Sequence, residues 1–157
     1  MTTNATIRPA TDADREALSQ FPLAEHVDQT LADAAAGNAL YVVAEIGGTV
    51  VGAATLDLVH EVNPQITRIW VVKEARRSGV GSTLSRWLED QARERGHDAV
   101  FMMIDPNNER AIPMAIDLGY SATGDHYFVG TPDSFQVDDP ADASEYYSIW
   151  RKSLRMS

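Results

Sequence analysis

The residues best suited to chemistry lie in one short run, Arg76-Arg77-Ser78-Gly79-Val80-Gly81, between a predicted strand and a predicted helix. The N-terminus of a helix presents backbone N–H groups without intrahelical partners, together with the positive end of the helix dipole. Two glycines in the run leave room for an anion to approach those groups, and two arginines add positive charge. We therefore predict a cradle for a phosphate or pyrophosphate group.

Two widespread phosphate loops do not match this run. The dinucleotide fingerprint G-x-G-x-x-G would need glycine or alanine at Leu84, within a unit of parallel strands. The mononucleotide loop G-x-x-x-x-G-K-[ST] is absent from the sequence. A strand followed by R-x-x-G-x-G and then a helix is a different pattern.

The elements before the run predict an antiparallel meander. Two segments rich in β-branched residues flank Gly47-Gly48, a turn signal typical of a hairpin. A third β-branched and aromatic segment covers 66–72. Nearer the N-terminus we expect a helix over 24–36 that ends at Gly37.

The helix after the run has one apolar face. Its apolar residues recur at the helical period: Val80, Leu84, Leu88 and Ala92. Among its charged residues, Glu89 and Arg93 are four positions apart, a spacing that favours an ion pair.

The second half of the chain predicts further strands and one short helix. The strands are expected over 99–104, 121–129 and 145–154. Pro113 cannot donate a helical hydrogen bond, so the helix around it must start late or bend. Residues 130–144, with two prolines and several aspartates, predict a loop.

Length and composition indicate a single globular domain over 1–157. Hydrophobic residues make up 44% of the chain, which argues against wholesale disorder. The sequence contains no cysteine, which excludes disulfides, thiolate metal sites and a cysteine nucleophile. Its four histidines lack ligand spacing, so we expect no metal.

The charge distribution narrows the range of partners. A net charge of −10 argues against nucleic acid, which requires a basic surface. Residues 73–95 nevertheless carry six basic side chains against four acidic ones, which suits a small anionic ligand. No apolar run approaches the ~20 residues of a membrane span, and the N-terminus lacks the apolar core of a signal peptide. We therefore expect no membrane partner and a cytoplasmic protein.

Several motifs together resemble the GNAT superfamily of acyl-CoA-dependent N-acetyltransferases. The run at 76–81 matches the family's [QR]-x-x-G-x-[GA] loop, and Ile69-Trp70-Val71 matches the end of the strand before it. Downstream, Asn108-Glu109-Arg110-Ala111 matches an N-x-x-A segment, and Leu118-Gly119-Tyr120 matches L-G-[FY]. The resemblance covers nearly the whole chain.

The resemblance implies an α+β fold and a binding mode for acetyl-CoA. The fold would have three layers, αβα, around a twisted and mostly antiparallel sheet that splays open at the acetyl-CoA site. The residues implied to bind acetyl-CoA are Ile69, Trp70 and Val71 through their backbone, Arg76, Arg77, Ser78, Gly79, Val80, Gly81 and Ser82 around the pyrophosphate, and Asn108.

The sequence departs from the family at the two positions associated with catalysis. Ala115 stands where many members carry a tyrosine that protonates the leaving thiolate. Met103 stands where members that acetylate ribosomal-protein N-termini carry a glutamate base. As replacements we predict Tyr127 as the acid and Glu61 as the base. Tyr120 and His60 are the alternatives for these two roles.

The resemblance leads to an N-acetyltransferase that uses acetyl-CoA and acts on a primary amine of a small molecule or peptide, by direct attack in a ternary complex. The alternative is a regulatory or sensing module that binds acyl-CoA with little transferase activity, favoured by Ala115 and Met103. In such folds the first two helices and the late loop determine which acceptor binds. Here these regions, 21–36 and 131–144, carry no motif that identifies the acceptor. A homodimer is the default expectation for assembly.

Overall fold

A seven-stranded sheet forms the centre of the protein. The computed structural model describes residues 4–22, 24–132 and 136–155. The strands are β1 (Thr6–Pro9), β2 (Ala39–Ile46), β3 (Thr49–Asp57), β4 (Gln65–Val71), β5 (Ala99–Ile104), β6 (Ser121–Phe128) and β7 (Tyr146–Ser153). Their order is β1-β2-β3-β4-β5-β7-β6. Every neighbouring pair is antiparallel except β4 and β5, which run parallel.

Within the described ranges, four α-helices cover the sheet. They are α1 (Arg15–Leu18), α2 (Val27–Ala35), α3 (Val80–Glu94) and α4 (Ala111–Asp117). The helix predicted over 24–36 is a 3₁₀ turn, Ala24–His26, followed by α2, and Gly37 after it has a left-handed φ of 81°. In the described part of the chain, no helix has both the length and the apolar character needed to cross a membrane.

The predicted meander is β2-β3-β4. Gly47 and Gly48 join β2 to β3 with φ values of 58° and 82°. Positive φ at both central residues is the requirement of a type I′ turn, whose twist matches that of the flanking strands. The hairpin signal in the sequence is therefore confirmed.

Two hydrophobic clusters place helices on opposite faces of the sheet. On one face, the apolar stripe of α3 is at most 1% exposed and packs with residues of β2, β3, β4 and β5. On the other face, Leu18, Phe21 and Val27 from the α1–α2 region pack against Tyr41, Val43 and Ala53 of the sheet. The three-layer α+β architecture is confirmed.

The first turn of α4 accommodates Pro113. Pro113 is the third residue of α4, where a backbone N–H would have no intrahelical acceptor in any case. The side-chain Oδ1 of Asn108 accepts a 3.0 Å hydrogen bond from the N–H of Ala111. The helix therefore starts at Ala111 without a bend forced by the proline.

The expected ion pair between Glu89 and Arg93 is wrong. Glu89 is 3% exposed and accepts hydrogen bonds from Tyr120 Oη (2.7 Å) and Lys152 Nζ (2.8 Å). Arg93 instead donates to Asp90 at 2.7 Å. Spacing along the helix places Glu89 near Arg93, but Tyr120, between α4 and β6, and Lys152 of β7 are less exposed partners.

Candidate functional site

The sheet opens into a fork between β4 and β5. These parallel strands pair only at Gln65 and Phe101, next to a 3.0 Å hydrogen bond from the Phe101 N–H to the Pro64 carbonyl. β4 stays paired with β3 on its other side, and β5 stays paired with β7. The facing backbone edges of 66–71 and 102–104 are therefore open to a ligand.

A cleft of about 210 Å³ occupies the fork. Six residues predicted to bind acetyl-CoA line it: Ile69, Trp70, Val71, Arg76, Gly81 and Asn108. The other five do not line the cleft and follow it in the adjacent loop and first turn of α3: Arg77, Ser78, Gly79, Val80 and Ser82. The structure thus brings the strand, loop and downstream motifs to one place.

The loop before α3 presents its backbone rather than its side chains. Gly79 precedes α3 with a φ of 84° and has no side-chain cap. The first helical hydrogen bond runs from the Thr83 N–H to the Gly79 carbonyl at 2.9 Å. The N–H groups of Val80, Gly81 and Ser82 consequently have no partner within the helix. This end of the fork can hold an anion.

Side chains in the same loop hold it in shape. Ser78 Oγ donates to the Ala75 carbonyl, and Val80 is 1% exposed in the core. The guanidinium of Arg76 lies 4.5 Å from the centre of the Trp70 ring and donates to the Val71 carbonyl at 3.0 Å. Arg76 therefore braces the loop against the end of β4.

Gln136, in the loop predicted over 130–144, ties this loop to β5 and to the segment that follows β5. Its Oε1 accepts from Asn108 Nδ2 at 2.8 Å, and its Nε2 donates to the Met103 carbonyl at 3.1 Å. Both polar groups of the Asn108 side chain are thereby occupied within the protein. No signal in the sequence singles out Gln136, because the loop around it has no motif.

A second, more polar pocket of about 180 Å³ adjoins the cleft. Thr67, Arg68, Met103 and Gln136 line both cavities, so the two lie side by side and share these residues as a wall. Thr67 is paired with Thr55 and Thr55 with Tyr41, so the three side chains lie on one face of the sheet. Tyr41 packs with α1 and α2, so the second pocket, which Thr67 lines, opens on the face that these helices cover. The fork is therefore accessible from both sides.

The comparisons with known proteins agree with this geometry. The family model of the Acetyltransferase (GNAT) family matches residues 8–120. The chain belongs to the GNAT acetyltransferase family. A search among curated proteins finds no match.

Solved GNAT-type structures share the whole fold at low identity. Ard1 from Thermoplasma volcanium has a TM-score of 0.75 at 19% identity, covering 98% of this chain and 100% of that one. The ribosomal-protein-S18-alanine N-acetyltransferase from Escherichia coli has a TM-score of 0.67 at 20% identity, with coverages of 98% and 96%. A GNAT family acetyltransferase from Elizabethkingia anophelis with acetyl-CoA bound has a TM-score of 0.73 at 16% identity, covering 96% and 98%.

The two departures of this GNAT acetyltransferase from its family differ in their surroundings. Ala115 is fully buried in the core and is not among the residues that line the cleft. Met103 lines both cavities, but its thioether carries no proton to exchange. Neither residue can act as an acid or a base.

Tyr127 and Glu61, the predicted catalytic pair, lie together at the surface. Tyr127 Oη donates to Glu61 Oε2 at 3.2 Å, and desolvation and this carboxylate raise the pKa of Tyr127. Neither residue lines the cleft or the second pocket. His60 lies between this pair and the second pocket, because His60 lines the pocket and its ring centre lies 5.1 Å from that of Tyr127.

The two alternatives to this pair, Tyr120 and His60, both have hydrogen-bond partners within the protein. Tyr120 is 3% exposed and bonded to Glu89, and burial and that carboxylate raise its pKa. His60 Nδ1 accepts a 2.9 Å hydrogen bond from the Val62 N–H, which leaves the proton of a neutral ring on Nε2. Among the described residues, no three side chains of His, Cys, Asp or Glu form a group that could hold a metal ion.

Proposed function

We propose that this GNAT acetyltransferase transfers the acetyl group of acetyl-CoA to a primary amine of a small molecule or peptide, by direct attack in a ternary complex. The observation that carries the proposal is the fork between β4 and β5. It has open backbone edges, a helix N-terminus at one end, and a second pocket that meets it from the opposite face. Two substrates can therefore meet without a covalent enzyme intermediate.

The proposed cofactor contacts follow the fork from end to end. The backbone of Ile69, Trp70 and Val71 would pair with the amides of the pantetheine arm, because this edge of β4 has no strand partner. The amides from Arg77 to Ser82 would hold the pyrophosphate, supported by the charge of Arg76. Asn108 would contribute as a wall of the cleft, since its own polar groups are engaged.

Acetyl-CoA supplies an activated acetyl group as a thioester. The amine nitrogen forms a bond to the carbonyl carbon, the carbon–sulfur bond breaks, and the nitrogen loses a proton while sulfur gains one. We propose that Glu61 accepts the proton of the amine through water and that Tyr127 returns one to sulfur, also through water, because neither residue lines the cleft. Their 3.2 Å hydrogen bond would let a proton pass from Glu61 to Tyr127 and reset the pair.

A regulatory module that binds acyl-CoA is the second candidate. Met103 lies where the two cavities meet but has no proton to exchange, and Ala115 is buried away from the cleft. Binding would then proceed with slow or no transfer. For either candidate, one domain over 1–157, a cytoplasmic location and a homodimer remain predictions.

Calorimetric titration with acetyl-CoA, followed by thiol release against a panel of amines, tests the proposal. We expect binding with one site per chain and release of CoA for at least one amine. Binding without release for any amine would favour the regulatory module. Absence of binding would contradict both candidates.

A further inference from the structure

Arg68 stands at the junction of the two cavities. Arg68 and Ile69 lie together opposite Ala54 in the β3–β4 ladder, which is the arrangement of a β-bulge. The φ of Arg68 is 54°, in the left-handed region that residues other than glycine rarely occupy. The bulge directs the Arg68 side chain into the walls of both the cleft and the second pocket.

The positive charge of Arg68 is not matched within the protein. Its Nε is buried and has no hydrogen-bond partner, and no carboxylate pairs with its guanidinium among the described residues. By contrast, Arg8 on β1 pairs with both Asp14 and Glu45. A partly buried guanidinium without a partner costs free energy, so Arg68 has the features of a group that awaits an anion.

The surroundings of Arg68 offer only a weak internal contact. Burial raises the pKa of the Tyr41 hydroxyl to about 12, although the positive charge of Arg68 acts to lower that pKa. A neutral hydroxyl cannot balance a guanidinium. An anionic group of a ligand would supply the partner that the protein does not.

The second pocket also contains an acid. Asp57 lines it, and Asp57 Oδ1 accepts from the N–H groups of Val59 and His60 at 2.9 Å each. Oδ2 has no partner among the described residues. The pocket therefore presents a positive group and a negative group to the same ligand.

We propose that the acceptor is an amine that carries a carboxylate, and that Arg68 binds this carboxylate in the second pocket. The inference rests on the proposed function and deepens it by naming the acceptor class. Guanidinium groups bind carboxylates through two parallel hydrogen bonds, which would fix the amine at the fork. Asp57 attracts the ammonium form of the amine as it enters.

Charge and size are consistent with such an acceptor. A net charge of −10 disfavours acceptors that are anionic overall, whereas an amine with one carboxylate is neutral overall. The pocket, at about 180 Å³, is smaller than the roughly 300 Å³ at which sites for drug-sized ligands begin. The pyrophosphate does not compete for Arg68, because its proposed cradle begins beyond Val72, roughly 13 Å further along an extended strand.

Two sources could supply this chemistry: a free amino acid, or a peptide whose N-terminal residue is acidic. The first arm of the test measures binding without turnover. The twenty standard amino acids and their α-carboxamides are added to the protein, and saturation-transfer NMR reports which of them bind. Peptides that begin with Asp or with Asn form the second pair of probes.

We expect at least one carboxylate-bearing probe to bind more tightly than its amide by about 10- to 100-fold. Arg68→Gln should remove this preference, and Arg68→Lys should restore part of it. Arg77→Gln is the matched control, because Arg77 also has a left-handed φ, 68°, but lies in the loop before α3. Arg77→Gln should keep the preference for the carboxylate-bearing probe over its amide, while it weakens the binding of acetyl-CoA.

The second arm measures turnover with the same pairs of probes. Arg68→Gln should reduce the ratio of kcat/KM between acid and amide from about 10- to 100-fold to near 1. Equal binding of acids and amides, or a preference that survives in Arg68→Gln, would overturn the inference. Failure of wild-type protein to bind acetyl-CoA would overturn the proposed function alone, because the NMR arm does not depend on it.

Discussion

The hydroxyl of Tyr120 donates a 2.7 Å hydrogen bond to Glu89 Oε2, and this contact joins the segment between α4 and β6 to the middle of α3. Lys152 of β7 donates to the other oxygen of Glu89 at 2.8 Å. Glu89 is 3% exposed, and burying a carboxyl group is costly unless its oxygens have hydrogen-bond partners. The last residue of the L-G-Y motif is therefore part of a buried polar network.

Tyr120→Phe is expected to lower the free energy of unfolding by about 1–3 kcal/mol, because it leaves one oxygen of a buried carboxylate without a donor. Urea denaturation measures the change. Tyr127→Phe is the control, since its hydrogen bond to Glu61 is at the surface, and it should stay within about 0.5 kcal/mol of wild type. Equal effects of the two variants would contradict the network's contribution.

Gly79→Glu is expected to weaken the binding of acetyl-CoA by more than about 100-fold, because it places a carboxylate beside the backbone amides proposed to bind the pyrophosphate. Calorimetry measures the affinity. Gly96→Glu is the matched control, because Gly96 has a similar φ of 89° but follows the opposite end of α3. Unchanged affinity in Gly79→Glu would remove the cradle from this loop.

Tyr127→Phe is expected to lower kcat by about 100-fold or more while acetyl-CoA affinity stays within error, because it removes the proposed acid. Steady-state thiol release and calorimetry separate the two effects. Tyr146→Phe is the control, since Tyr146 is also an exposed tyrosine, packed at 5.2 Å against Phe128. A kcat equal to wild type would exclude Tyr127 as the acid.

Asp14→Asn is expected to destabilise the protein by about 1–2 kcal/mol at pH 7. Arg8 donates to both carboxylate oxygens, at 2.7 and 2.8 Å, and this pairing holds the pKa of Asp14 below its ordinary value. A lowered pKa stabilises the fold above the ordinary carboxyl pKa of about 4, and the contribution is lost as pH falls through the lowered value.

Urea denaturation of wild type and Asp14→Asn at pH 7 and pH 2.5 checks this dependence. The difference between the two proteins should shrink at the lower pH. Asp12→Asn is the control, because Asp12 is exposed and its ion pair with Arg15, at 3.0 Å, is at the surface. A difference that stays constant between the two pH values would contradict the assignment.

The local sequence pattern predicted many of the helices and strands, because each of these elements depends on residues that are neighbours in the chain. The apolar stripe of α3 follows from its spacing, and the β2–β3 hairpin follows from two glycines that permit positive φ. The motifs also predicted where the cleft would lie. In a loop that leads into a helix, the backbone amides are exposed by the local conformation, which does not depend on how the rest of the chain packs.

Contacts between distant segments were not predictable in the same way. Glu89 is four residues from Arg93, yet it pairs with Tyr120 and Lys152, 31 and 63 positions away. Gln136 reaches Asn108 and Met103 across a loop without a motif. Such partners depend on how the sheet and the helices are packed, and no short window of sequence contains that information.

By itself, the sequence determined the family, the order of strands and helices from α2 onward, and the segment predicted to hold an anion, because each depends on local periodicity or on a short motif. The tertiary structure alone decided that Gln65 and Phe101 form the single paired position between β4 and β5. It also decided that a bulge directs Arg68 into both cavities. Register and side-chain direction arise when strands pair and layers pack, and only the folded chain sets them.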